Sequence, residues 1–159
     1  MRKQKGFSLI ELLIVIAIIL IIAAIAVPNL LRSKMAANEA SAVGTVRSIN
    51  NAEVLYSVTY PDTGYTTLAQ LGGAAPCTPA PATACIVDPV VSGAPNTKSG
   101  FKFKAAGDGS GPPAVGFTAN GTAVTFGTTG SRNFFSNQTF VIYYNTVAGD
   151  AAVTDKPLQ

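Results

Sequence analysis

Glu11 is the residue whose placement asks first for chemistry. It is the one acid in the run from Phe7 to Val27, in which only Ser8 is otherwise polar. A lone carboxylate costs roughly 2.5–3.5 kcal/mol at the centre of a membrane span and less near an interface. Close to the start of the run, Glu11 can snorkel to the headgroups. The sharper reading is ionic pairing with a positive charge from another chain. If the chain is cut after Gly6, Phe7 gains a free amine, and that amine is the nearest positive charge for Glu11 of a neighbouring copy. The second reactive pair is Cys77 and Cys85, the only cysteines, set in a Pro/Ala/Thr-rich stretch. They are either two free thiols or one local disulfide in an oxidising compartment. The bond would close a small loop and contribute about 2.5 kcal/mol in the chain-entropy model.

Other chemistry is missing. There is no His, so the commonest general base and metal ligand at neutral pH is absent. The spacing of Cys77 and Cys85 does not suit a four-ligand zinc site, and no Gly-rich phosphate loop with its lysine appears. Asp108-Gly109 is a fragment of a calcium loop with too few oxygen ligands around it. Asn120-Gly-Thr and Asn137-Gln-Thr match the glycosylation triplet but read better as hairpin chemistry. Tyr56, Tyr60 and Tyr65 cluster near the end of a helical stretch, where they could be exposed. No catalytic residue, metal site or cofactor is expected. Of eleven basic residues, Arg2, Lys3 and Lys5 precede Gly6, leaving eight against eight acids in a shortened chain. That balance lacks the basic footprint of a nucleic-acid binder.

The element that positions Glu11 is a single helix. Phe7 to Val27 suffices to cross a bilayer, which takes ~20 apolar residues. It is longer than the core of a secretory signal and ends in no small-residue cleavage site. The basic residues before it place residues 1–6 in the cytoplasm and the C-terminal part outside. Pro28 removes one backbone hydrogen bond and predicts a kink without ending the helical pattern. Beyond it, Met35, Ala42, Val46, Ile49 and Tyr56 share one face. Arg32, Lys34, Asn38, Glu39, Arg47, Asn50 and Asn51 fill much of the rest. Gly44 is either a weak point or a place of close packing. Tyr60-Pro61 stops the helix.

The expected organisation is a leader at 1–6, a helix at 7–59 with its membrane part at about 7–30, a loop region at 60–99, and a β-sheet head at 100–159. Leu68 to Leu71 reads as a short helical turn. Phe101, Phe103 and Ala105 alternate with Lys102 and Lys104 as a strand with one wet face. Asn120-Gly121, between Val115–Ala119 and Thr122–Phe126, reads as a hairpin turn. Gly127–Ser131 reads as a further turn region, and Thr139–Tyr144 as a strand with Phe140, Ile142 and Tyr144 on one side. The sum is an α+β chain: a long helix whose outer half is wrapped by an antiparallel sheet of three or four strands.

The residues Gly6-Phe7-Ser8-Leu9-Ile10-Glu11-Leu12-Leu13-Ile14-Val15 resemble the processing and assembly motif of type IV pilins and type II secretion pseudopilins. The resemblance covers about residues 1–31 and implies a pilin-like fold. It implies that a prepilin peptidase cuts after Gly6 and N-methylates Phe7, that Glu11 registers each subunit against its neighbour, and that Pro28 matches the proline common in the span. It further implies a precursor in the bacterial inner membrane that meets lipid, then an assembly machinery, then copies of itself in a filament. The filament would be an extracellular pilus, serving adhesion or motility, or a periplasmic pseudopilus acting in protein secretion. Asp150 and Asp155 are sparse for the acidic calcium loop common in major pseudopilins, which favours the pilus. A membrane-anchored binding domain that never polymerises is the alternative from another class. An enzyme is the remaining one, and no catalytic constellation supports it.

Overall fold

A computed structural model describes residues 7–158. Helix α1 spans Leu9–Thr59 and holds Pro28 within it. Ser8 accepts the first helical bond from Leu12, and the Asn29 amide donates to the Ile25 carbonyl at 3.2 Å. Leu and Ala on both sides of the proline help to carry the helix through it, because these residues lose little freedom in a helix. The chain divides into two compact units between Lys34 and Met35. In the first, the large apolar side chains from Leu9 to Leu31 are exposed.

The second unit is a small α+β head. Helices α2 (Leu68–Leu71) and α3 (Pro89–Ser92) precede six strands: β1 (Thr97–Lys98), β2 (Phe101–Gly107), β3 (Phe117–Ala123), β4 (Asn133–Asn137), β5 (Ile142–Asn145) and β6 (Lys156–Pro157). The strands pair antiparallel in chain order as one open sheet. Six strands replace the expected three or four, the additional ones being the two-residue edges and β4. One face of the sheet packs on α1: Phe101, Phe103, Phe117, Ala119 and Phe134 join Ala42, Val46, Ile49 and Tyr56 in one core. Lys102 and Lys104 stay on the wet face, so β2 keeps a strict alternation.

Three expectations fail here, each for a local reason. Asn120-Gly121 is not a turn: β3 runs through it, with Asn120 opposite Lys104 and Gly121 opposite Phe103. The period of two passes unbroken from Phe117 through Ala119 and Gly121 to Ala123. Gly121 serves close approach instead, because a Cβ there would lie 3.1 Å from the Phe103 ring and 3.3 Å from Val46. Phe140 is not on a strand. It sits at φ 62° in the β4–β5 turn, where its N–H bonds the Asn137 carbonyl and the Asn137 side chain caps Thr139. The polar face of α1 is narrower than expected: Glu39 and Asn50, assigned to it, are buried, as are Thr45 and Glu53, which the periodicity leaves unassigned. Gly44 faces open space, with nothing within 4 Å of an added Cβ.

Candidate functional site

Glu11 lies in the first turn of α1, and its carboxylate accepts the Ser8 N–H at 2.9 Å. Ser8 and Glu11 have the spacing of a capping box, in which an acid three residues into a helix reaches back to the capping residue. That Ser-x-x-Glu signal before an apolar run was readable in the sequence. The position also sets the negative charge at the positive end of the helix dipole. Among the described residues no ion pair forms with Glu11, and the side chain is exposed. Phe7, next to it, is 79% exposed. Gly6 lies outside the described residues. A capped, exposed carboxylate therefore stands at the start of a bare apolar helix that is long and apolar enough to cross a membrane. Such a surface needs lipid or other protein to cover it.

The head holds two further carboxyls that sequence reasoning placed on the wrong face or passed over. Glu39 accepts from the Ser131 N–H at 2.7 Å, the Ser131 hydroxyl at 2.8 Å and Arg132 Nε at 2.7 Å. The Arg132 guanidinium is also stacked 5.8 Å from the Phe134 ring centre and 5.5 Å from that of Tyr144. Burial raises the Glu39 pKa, but these donors and the guanidinium charge outweigh it and hold it below the usual carboxylate value. The pair staples the β3–β4 loop to α1. Glu39→Gln keeps the shape and loses the charge, so it is expected to lower stability at pH 7 by about 1.5 kcal/mol. Thermal melts at pH 7 check this, and an unchanged midpoint would show the pair to be idle.

Glu53 is fully buried on the same helix. One oxygen accepts the Thr66 N–H at 3.0 Å; among the described residues the other has no partner, and neither has the Asn50 side-chain oxygen one turn earlier. Burial pushes the Glu53 pKa up to about 7 against the lowering effect of the Thr66 bond. The Asn50 amide crosses to the Ser136 hydroxyl on β4 at 2.8 Å.

Cys77 and Cys85 are joined by a disulfide with 6.0 Å between Cα atoms. The loop they close is held down by the Tyr56 hydroxyl, which donates to the Pro81 carbonyl at 2.6 Å. Tyr56 is thus a buried anchor, not an exposed ring. Tyr60 stacks on it at 4.9 Å, and Tyr65 packs on Phe117 at 5.0 Å. Asp150 bonds the Thr122 hydroxyl and pairs with Lys104 at 2.9 Å, both of which lower its pKa. Asp155 caps the Ala152 N–H at 2.7 Å. Among the described residues no group of three or more His, Cys, Asp or Glu is placed to hold a metal ion.

Residues 1–27 match the prokaryotic N-terminal methylation motif. The chain is 45% identical over 58 residues to the Type IV wide pilus major component PilA4 of Thermus thermophilus, covering 36% of this chain and 44% of that protein. It is 41% identical over 66 residues to the Type II secretion system core protein G of Vibrio cholerae, covering 40% and 45%. A fimbrial protein of Pseudomonas aeruginosa is 43% identical over 74 residues, covering 41% and 48%. The chain spans about half the length of the curated relatives it matches, and no solved structure matches it. The N-terminal resemblance holds, and it is to pilins and pseudopilins alike.

Proposed function

We propose that this chain is the structural subunit of a type IV pilus-like filament. A prepilin peptidase cuts it after Gly6 and methylates the new amine of Phe7, and an inner-membrane machinery then polymerises it from the bilayer. The observation that carries this reading is Glu11: a carboxylate at the start of an exposed apolar helix, inside a matched methylation motif, with no cation paired to it among the described residues. In lipid the span is stored as a single-pass anchor with its leader in the cytoplasm. In a polymer the same Leu, Ile and Ala surfaces pack against copies of themselves, and dispersion replaces lipid contact. The amine of Phe7 supplies the charge that Glu11 needs. Pro28 gives the helix a place to bend. The role is structural and needs no catalytic group or cofactor.

The test is intact-mass analysis of sheared surface material, with electron microscopy of the same fraction. A subunit starting at methylated Phe7, in long filaments, is the expected result. Residues 1–6 retained in surface material would refute the processing step. A second reading, a pseudopilin whose short periplasmic filament drives secretion, is supported by the likeness to Type II secretion system core protein G. Absence of surface filaments together with a secretion defect on deletion would favour it.

A further inference from the structure

Asp62 stands out among the described carboxylates because it takes part in no hydrogen bond or ion pair. Glu11, Glu39, Glu53, Asp88, Asp108, Asp150 and Asp155 each have a donor within the chain. Asp62 is exposed, yet the turn that carries it is fixed. Thr63 and Gly64 both donate to the Tyr60 carbonyl, and Ala114 donates to Thr63 at 3.0 Å. Gly64 is bridged to Ala114 at φ +74°, where a Cβ would lie 2.2 Å from the Ala114 carbonyl oxygen. A charge on a rigid, exposed turn with no partner loses little entropy when it meets one outside the chain.

The other end of the head has the opposite character. Arg132 is held by Glu39 and stacked between Phe134 and Tyr144, while Lys156, opposite Tyr144 in the sheet, is exposed and forms no ion pair among the described residues. Arg132, Tyr144, Lys156 and Pro157 line one recess. Of its two cations only Arg132 is paired, with Glu39; Asp155, next to Lys156, is taken up by the Ala152 N–H and the Asn145 amide. Arg47 is exposed on α1. Lys102 and Lys104 line a second recess, where Lys104 is paired with Asp150, but that recess lies on the wet face of the sheet, away from α1. Glu39 marks one end of the head and Asp62 follows Thr59 at the other. The helix from Glu39 to Thr59, 21 residues, spans about 30 Å.

We propose that Asp62 of one copy docks in the Arg132–Lys156 recess of the next, as a head-to-tail contact between heads. An acid at one end and cations at the other cannot meet within one chain, and they repeat without limit between chains. A heterologous contact of this kind generates rings when the rotation closes and helical filaments when it does not. The inference rests on the filament reading and names which surfaces of the head meet. The pair fixes orientation more than affinity, because like charges brought together there are strongly disfavoured.

Charge reversal tests it. Asp62→Lys and Lys156→Glu are made singly and together in the native cell, and subunit in the sheared fraction is quantified by immunoblot. Each single variant is expected to lose filament yield by about tenfold or more, and the double variant to recover most of it. Both positions are exposed, so thermal melts of the purified variants should match wild type. Single variants at wild-type yield, or a double variant that melts normally but stays as poor as the singles, would overturn the contact while Glu11→Ala still reports on the filament reading. A wild-type chain that forms no filaments at all would remove that reading, and this contact with it.

Discussion

Glu11→Ala is expected to abolish filaments while the chain still enters the membrane. Removing a carboxylate from the span makes insertion easier, since that group is a cost in lipid. In the polymer the effect reverses. The amine of Phe7 from a neighbouring copy is left in an apolar core without its partner, and breaking a buried pair costs about 3 kcal/mol or more. That is roughly a hundredfold per subunit added. The Ser8 cap is lost as well, but an N-terminal cap is worth about 1 kcal/mol and acts equally in both states. Glu11→Gln separates the two effects. An amide oxygen still accepts the Ser8 N–H, so a purely local cap predicts near-normal filaments. Pairing with an amine predicts their loss. The measurement is the ratio of sheared to membrane-bound subunit, and a variant still abundant in the sheared fraction would sink the assembly role of Glu11.

The N-terminal part was legible because one physical demand dominates it. A run like Phe7–Val27 has to be helical and covered, whatever follows, and an acid within it is conspicuous. The head was legible only in outline. β2 announced itself because Phe101, Phe103 and Ala105 alternate with lysines, and a sheet with one wet face needs that. β4 did not, because Asn133 and Ser136 look like loop residues. They are buried as partners: Asn133 accepts the Ala123 N–H at 2.8 Å and donates to the Val147 carbonyl at 2.7 Å. Asn120-Gly121 was misread for a related reason. A turn motif is a local preference, and the ring of Phe103 across the sheet outweighs it. On α1 the error was to equate polar with exposed. Glu39 and Glu53 find donors 92 and 13 residues away, and the Asn50 amide finds its acceptor 86 residues away, and no helical periodicity carries that information.

Glu53 gives the largest effect expected in the head, and its sign is unusual for an acid. Glu39 shows the ordinary case: its pKa is lowered on folding, so its contribution is present above about pH 4.5 and is lost as the pH falls. Glu53 is raised from 4.5 to about 7. Between those values the folded chain binds a proton that the unfolded chain does not. Stability is therefore full below about pH 4.5 and declines as the pH rises to 7, above which the loss is complete. The shift corresponds to about 3 kcal/mol. Protonation turns Glu53's unpartnered oxygen into a donor, one turn from the unpartnered acceptor of Asn50, so the neutral form suits the site. The chain contains no His that would titrate in the same window. The other ionisable side chains of its helix turn and the following loop are Tyr56, Tyr60, Asp62 and Tyr65. Glu53→Gln keeps an acceptor for the Thr66 N–H and is neutral at every pH. It should stabilise the head at pH 8 by about 2 kcal/mol or more and remove most of the difference between pH 5 and pH 8. Thermal melts of the detergent-solubilised chain at the two values decide it, with Glu39→Gln as the control that must leave the pH 5–8 slope in place. A wild-type chain that melts at the same temperature at pH 5 and pH 8 would mean that Glu53 carries its charge at little cost, and that the two orphaned oxygens are hydrated.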